Sequence, residues 1–382
     1  MRGWGRWGRR LVAAAVLLLV AGGAAGCWDR REIEERSAIL SIALDRQTPA
    51  SPLRLGVRIA VPGGIPLGGA ATQGGTRGPA ATPLVTTGET TMEALSNLRG
   101  RLSLAPFFGH TRIIAVSERL ARQGLEDVLN TFSRHNQIRR LLWLVVVRDN
   151  ALRILEFQPA VERVPTLFLL DMLDDLRRQG QLPNAFFGRF LIQEANLGED
   201  PAIPYLEVAN AHDVRYQGVA VFNGDRMVGW IDRHETGILL QLLGGGRAGG
   251  QLEAKVPGGF VGVELTGRRA ATHPEMRNGQ LSMHVSVRLE GNVREVIGDI
   301  DVSTSEKLHL VARALEDELT REAYALIHKM QSWQSDVFGF GEHVRAHLPD
   351  QWDPARWKEQ FKTLPVEVDV KVSIRRVGML VR

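Results

Sequence analysis

Between residues 308 and 333 apolar side chains return every three or four positions, at Leu308, Val311, Leu315, Leu319, Ala323, Leu326, Met330 and Trp333. That period puts all eight on one stripe of a helix of about 30 residues, about 45 Å long. A stripe of this length must be covered. Ser303 and Glu306 have capping-box spacing at its start. The cover is close in sequence: strands are predicted over 260–265, over 281–289 with strict alternation, over 293–297, and at Val366, Val368, Val370, Val372 and Ile374. Packing on the chain's own sheet is therefore expected, ahead of a coiled-coil contact with a partner. A short helix starting at Asp353-Pro354 carries Trp357 and Phe361. The segment 212–382 reads as a C-terminal α+β domain with antiparallel strands and one long helix.

Its opening has a hairpin pattern, 218–222 and 226–231 around Asn223-Gly224, and a helix capped by Asp232 and Glu235 that runs through Leu243 to three glycines. Upstream, strand and helix alternate. A strand is predicted at 38–44, and Leu53, Leu55, Val57, Ile59 and Val61 alternate as a half-buried strand should. Ten of the 21 residues from 63 to 83 are Gly or Pro, which marks a loop; without a Gly-Lys-Ser/Thr or a following helix it is not a phosphate cradle. Thr90 and Glu93 open a helix, 111–116 reads as a strand, 118–134 as a helix weakened at Gly124, and 141–147 as a buried strand. These make 27–160 an α/β domain on a mixed sheet. A helix over 165–179, a second piece around Phe186, Phe187 and Phe190, and a linker at 198–204 compose a small helical middle domain, 161–211.

The first 26 residues hold four of the chain's 47 Lys and Arg and no acid, then an apolar run, then Gly-Gly-Ala-Ala-Gly before Cys27. This is the order of an export signal. The uncharged stretch 11–26 is short for a spanning helix, so a transmembrane anchor ranks second. Beyond the leader the remaining basic residues equal the 43 acids. A DNA- or RNA-binding role needs surplus positive charge, so nucleic acid is excluded as a partner. Cys27 is the only cysteine, which excludes an intramolecular disulfide and a cysteine-built zinc site. The run Ala24-Ala25-Gly26-Cys27 resembles a bacterial lipoprotein signal, which implies that Cys27 is a lipid attachment site, and Trp28 beside it suits a headgroup layer.

Chemistry is sparse elsewhere. His343 and His347 share a helical face with Glu342 nearby, a spacing cheap enough that no metal is expected. His284 falls on the polar face of a strand, and Glu316, Asp317, Glu318 and Glu322 form an acidic cluster that reads as a solvated face. No nucleophile elbow, zinc-protease motif or reactive cysteine is present, so no catalytic residues, cofactor or enzyme activity are expected.

Several segments together resemble the Ger(x)C family, the lipoprotein C subunit of bacterial spore germinant receptors. They are Cys27 to Ile33 leading into the first strand, Phe107-Phe108-Gly109-His110-Thr111-Arg112-Ile113-Ile114, Gly218 to Phe222 with Met227-Val228-Gly229, and Gln331 to Gly341 followed by Trp352 and Trp357. The likeness covers essentially the whole mature chain. It implies a three-domain protein, tethered through acylated Cys27 to the outer face of the spore inner membrane. It also implies assembly with two integral membrane partners, the A and B subunits, in a complex that responds to nutrient germinants. The alternatives weighed are a lipid-anchored solute-binding protein of a transporter and a surface hydrolase using carboxylates and the His343/His347 pair.

Overall fold

The computed structural model describes residues 36–61, 80–245 and 249–377, with Trp7, Gly8, Arg10, Leu11 and Ala14 of the leader. Cys27, most of the leader, the segment 28–35 and most of the loop at 63–83 lie outside the described residues. Among the described residues no helix is long and apolar enough to cross a membrane.

Nine strands form the first sheet. Its order is β3 (Ala81–Gly88), β2 (Leu53–Ala60), β1 (Arg36–Asp45), β5 (Ile113–Ser117), β6 (Trp143–Val147), β7 (Ala202–Asn210), β8 (Asp213–Asn223) and β9 (Arg226–Asp232), with the short β4 (Ala105–Phe107) beside the start of β1. β1, β5, β6 and β7 run parallel, and the flanking pairs are antiparallel, so the sheet is mixed as expected. Helix α1 (Thr91–Arg99) has Thr90 as its cap, accepting from Glu93 N at 3.1 Å. The helix expected at 118–134 is broken at Gly124, whose φ of +116° no other residue adopts readily, into α2 (Glu118–Gln123) and α3 (Glu126–Ser133). A 3₁₀ turn follows at Ala151–Leu155, then α4 (Pro165–Arg178) and α5 (Phe187–Ala195).

Two expectations are corrected here. The supposed linker at 198–204 runs straight into β7, because Ile203 and Tyr205 find a buried slot beside β6. The hairpin at 218–231 does not open the second sheet; it is hydrogen-bonded as β8 and β9 into the first. Asn223 pairs with Arg226, so the tight loop is Gly224-Asp225, and only Gly224 takes positive φ.

Helix α6 (Arg233–Leu243) carries a complete capping box between Asp232 and Glu235. The second sheet has the order β10 (Gln251–Val256), β11 (Gly259–Arg277), β12 (Gln280–Gly298) and β13 (Val366–Val377). Its strands are antiparallel except that β13 runs parallel to β12. The long helix α7 spans Ser305–Ser332 and is capped by Thr304, one residue later than the Ser303 spacing suggested. Its stripe does cover this sheet: Val311, Leu315, Leu319, Ala323, Leu326 and Met330 are buried in one cluster with Val261, Val263, Val285 and Val287. Helices α8 (Phe340–His347) and α9 (Trp357–Lys362) close the end.

The core is not partitioned between the sheets. One cluster holds one face of the first sheet, whereas the other runs from Trp143, Val145 and Phe157 on the opposite face through Leu239 and into the second sheet. The two sheets are packed as one body.

Candidate functional site

The residues singled out for chemistry do not converge. Cys27 lies outside the described residues. His343 and His347 stack one turn apart on α8 with ring centroids 6.1 Å apart, and the ring of His273 on β11 is 6.3 Å from that of His347. His347 spends Nδ1 on the His343 carbonyl at 3.0 Å, and burial lowers the pKa of His343. Among the described residues no three His, Cys, Asp or Glu side chains are grouped as a metal would require. His284 is half-buried beside Glu367 rather than open to solvent. The acidic cluster of α7 disperses: Glu316 accepts from Val372 N at 2.9 Å, Glu322 meets His234 at 2.8 Å, and Glu318 pairs with Arg321.

The structure instead builds a dense polar junction from the Gln331–Gly341 segment that carries part of the family likeness. After α7 the chain turns at Gln334, which takes φ of +52°, and buries Ser335 and Asp336 completely. Ser335 donates through Oγ to the carbonyl of Phe222 at 2.5 Å. Asp336 accepts from Phe340 N (3.0 Å) and Gly341 N (2.8 Å) at the start of α8, and from Trp357 Nε1 (3.0 Å) on α9. Asp200, just before β7, accepts from Gly224 N at 2.8 Å and Asp336 N at 2.6 Å and pairs with Lys358. Burial pushes the Asp336 carboxyl up to about 7, against the pull of its three donors.

These two carboxylates thus tie the β8–β9 turn, the segment before β7 and both C-terminal helices together. Both are almost fully buried, and their hydrogen bonds go to the backbone and side chains that shape the junction. The glycines follow from close approach: a Cβ on Gly341 would sit 2.6 Å from Gly198 Cα and 2.7 Å from Trp357 Nε1, and one on Gly229 would sit 2.5 Å from the Trp333 ring. Gly341→Ala is expected to cost about 2 kcal/mol by forcing these elements apart, read as a lower urea midpoint. Asp200 was missed as a site because it stood in an apparent linker; its only signal was an acid beside a proline.

A cleft of about 1150 Å³ opens elsewhere, between α4, β8, α6, β10 and α7. Tyr216 on its wall donates to the Gln181 carbonyl at 3.2 Å, and the nearly buried Gln241 leaves Oε1 without a partner. Tyr216 is the single aromatic residue of the lining, and five carboxylates, Asp175, Glu253, Glu264, Glu318 and Glu322, face three basic groups, Arg178, Arg233 and His234.

Comparison with known proteins places both halves of the chain. Residues 29–208 match the family model described as the spore germination protein N-terminal domain, and residues 217–378 match the spore germination B3/GerAC-like C-terminal domain. Spore germination protein KC of Bacillus subtilis (strain 168) is 26% identical over 97% of this chain and 97% of its own length. The putative spore germination protein YfkR of the same organism is 25% identical over 93% of this chain and 94% of its own. The crystal structure of the GerBC protein superposes with a TM-score of 0.58 at 19% identity, covering 87% of this chain and 96% of that one, which establishes the shared fold. With both family domains in order along nearly its whole length, the chain belongs to the Ger(x)C family of spore germination proteins.

Proposed function

We propose that this chain is the non-enzymatic, lipid-anchored subunit of a nutrient germinant receptor. It would stand on the outer face of the spore inner membrane in association with integral membrane A and B subunits. The observation that carries the reading is the end-to-end match to spore germination proteins, with Cys27 at the boundary of an export-type leader. The fold is compatible with it, because the Asp200/Asp336 junction is buried inside the chain. Capture of the tagged chain from solubilised spore membranes is expected to recover both membrane subunits, and recovery of neither would overturn the proposal.

The anchor has its own test. Two or three acyl chains, at about 0.8 kcal/mol per buried methylene, make attachment effectively permanent. Cys27→Ser is therefore expected to leave the leader uncleaved or to shift the chain out of the membrane fraction, and intact-mass measurement of the native protein is expected to show a diacylglyceryl adduct on residue 27.

A second reading, capture of a small polar solute, draws on the cleft at Gln241. A bound ligand at 100 times its dissociation constant adds about 2.7 kcal/mol. Thermal-shift screening against amino acids and sugars decides it: a rise of several degrees that Gln241→Leu abolishes supports the solute reading, and a flat screen leaves the receptor subunit.

A further inference from the structure

The parallel strands β1, β5 and β6 begin at one end of the molecule, and the described segments that lead into them are arginine-rich. The described acids that flank them before β7 and in the β8–β9 turn, Glu199, Asp200 and Asp225, are each paired with a base. Arg112 N donates to Leu40 O at 2.9 Å and Trp143 N to Arg112 O at 2.8 Å, so the segments leading into β5 and β6 sit side by side next to β1. Phe108 N donates to Gln137 Oε1 at 3.0 Å, and the rings of Phe108 and His135 lie 5.1 Å apart, which locks those segments together. Ser37 hydroxyl to Leu104 O, at 3.4 Å, brings in the segment after α1. No Asp or Glu occurs in 94–117 or in 128–148.

Arg99, Arg101, Arg112, Arg139 and Arg140 on these segments are exposed. None has a described carboxylate within 4 Å; Arg101 reaches only the Val85 carbonyl. Arg189 near Arg140, and Arg119, Arg122 and Arg148 beyond the far ends of the same strands, by contrast all pair with acids. Among the first five arginines Leu141 stands 78% exposed and Leu104 39%. Among the described residues, a chain with zero net charge beyond residue 26 has thus gathered five arginines without a described carboxylate partner and two exposed leucines on these segments, while Asp29, Glu32, Glu34 and Glu35 of the connecting stretch lie outside the described residues.

That end is also where the chain arrives from Cys27. Nine residues separate Cys27 from Arg36, at most about 32 Å of extended chain. We infer that this end is a docking surface for an anionic lipid bilayer, the arginines meeting headgroup phosphates and Leu104 and Leu141 entering the headgroup boundary. The inference rests on the anchored reading for its geometry, since the tether keeps the patch within reach of the bilayer. A basic segment near a bilayer gains about 1 kcal/mol per Arg from an anionic leaflet, and the effect fades within a Debye length of about 8 Å. The patch therefore orients the body rather than attaching it.

The test uses the mature chain, residues 27–382, made without its lipid, which retains every strand and helix of both sheets. Flotation is measured with vesicles of phosphatidylcholine alone and of phosphatidylcholine with phosphatidylglycerol. Binding to the anionic vesicles only is expected, reversed by raised salt. The variant Arg112→Gln/Arg139→Gln/Arg140→Gln is expected to lower the partition coefficient about a hundredfold. The equally charged control Lys255→Gln/Arg269→Gln/Arg288→Gln, exposed on the other sheet, is expected to stay within about twofold, because those side chains lie away from the patch.

Equal loss in both variants, or no preference for anionic vesicles, overturns the inference. So does release by soluble glycerol phosphate, which would mark a discrete phosphate site instead of a surface. Loss of co-captured membrane subunits with vesicle binding intact would reassign the arginines to a protein contact. The two readings fail separately. Bare Cys27 in native protein with normal vesicle binding removes the anchor, and acylated Cys27 with no vesicle binding removes the patch.

Discussion

Replacing Asp336 with alanine is expected to lower the unfolding free energy by about 3–5 kcal/mol, measured by urea titration. The loss leaves Phe340 N, Gly341 N and Trp357 Nε1 without an acceptor in a site that water does not reach, and strands Asp200 and Lys358 next to them. The same residue sets a pH dependence whose sign is unusual for a carboxylate. An unfolded Asp titrates near pH 3.9, whereas burial pushes the folded Asp336 up to about 7. Between these values the folded chain holds a proton that the unfolded chain has released. The stabilisation is therefore complete below about pH 4 and is lost as pH rises to about 7. Asp336→Asn removes this slope. Comparing urea midpoints at pH 5 and pH 7.5, the wild type is expected to lose more stability on the rise than Asp336→Asn; an equal change in both would refute the assignment.

Arg58→Ala is expected to cost about as much, about 3–5 kcal/mol. Arg58 is 1% exposed on β2 and donates through Nη2 to the carbonyls of Ile154 (3.1 Å), Phe157 (3.0 Å) and Leu155. Burial alone lowers its pKa to about 10, so it remains charged at neutral pH. Its truncation orphans three carbonyls and opens a void beneath the 3₁₀ turn, where Leu152 and Leu155 already press into the space left by Gly56. Arg58→Lys is expected to recover only part of the loss, because all three carbonyls are reached by Nη2 at the tip of the longer side chain and the lysine ammonium falls short of it. Native-state hydrogen exchange checks the location: protection is expected to fall first over residues 151–157.

Arg58 also shows where sequence reasoning stops. Alternation of Leu53, Leu55, Val57 and Ile59 identifies β2 correctly, but it assigns Gly56 and Arg58 to a solvent face that the 3₁₀ turn in fact covers. Periodicity reports one buried face of a strand and cannot report a lid contributed by residues a hundred positions away. The same limit hid β7, whose start looked like a linker. The caps Thr90 and Asp232 and the apolar stripe of α7 were legible because each depends on residues within a few turns. The turn at Asn278-Gly279, with both residues at positive φ, carried an equally local signal that went unread. At the junction, Asp336 stood in a conspicuous motif, but its partner Asp200 lies 136 residues away. Only the folded chain pairs them.

The way β8 and β9 complete the first sheet bears on how relatives can be recombined. An isolated first half ending at 211 would leave β7 a naked edge, and such edges invite aggregation, whereas a chimera spliced there must pair β7 of one parent with β8 of the other. A graft that keeps residues up to 232 with the first half preserves the sheet but still separates Asp200 from Asp336. Exchange of halves within the family is thus expected to yield soluble protein only where the first half supplies an acceptor at position 200 for the backbone N–H groups of residues 224 and 336.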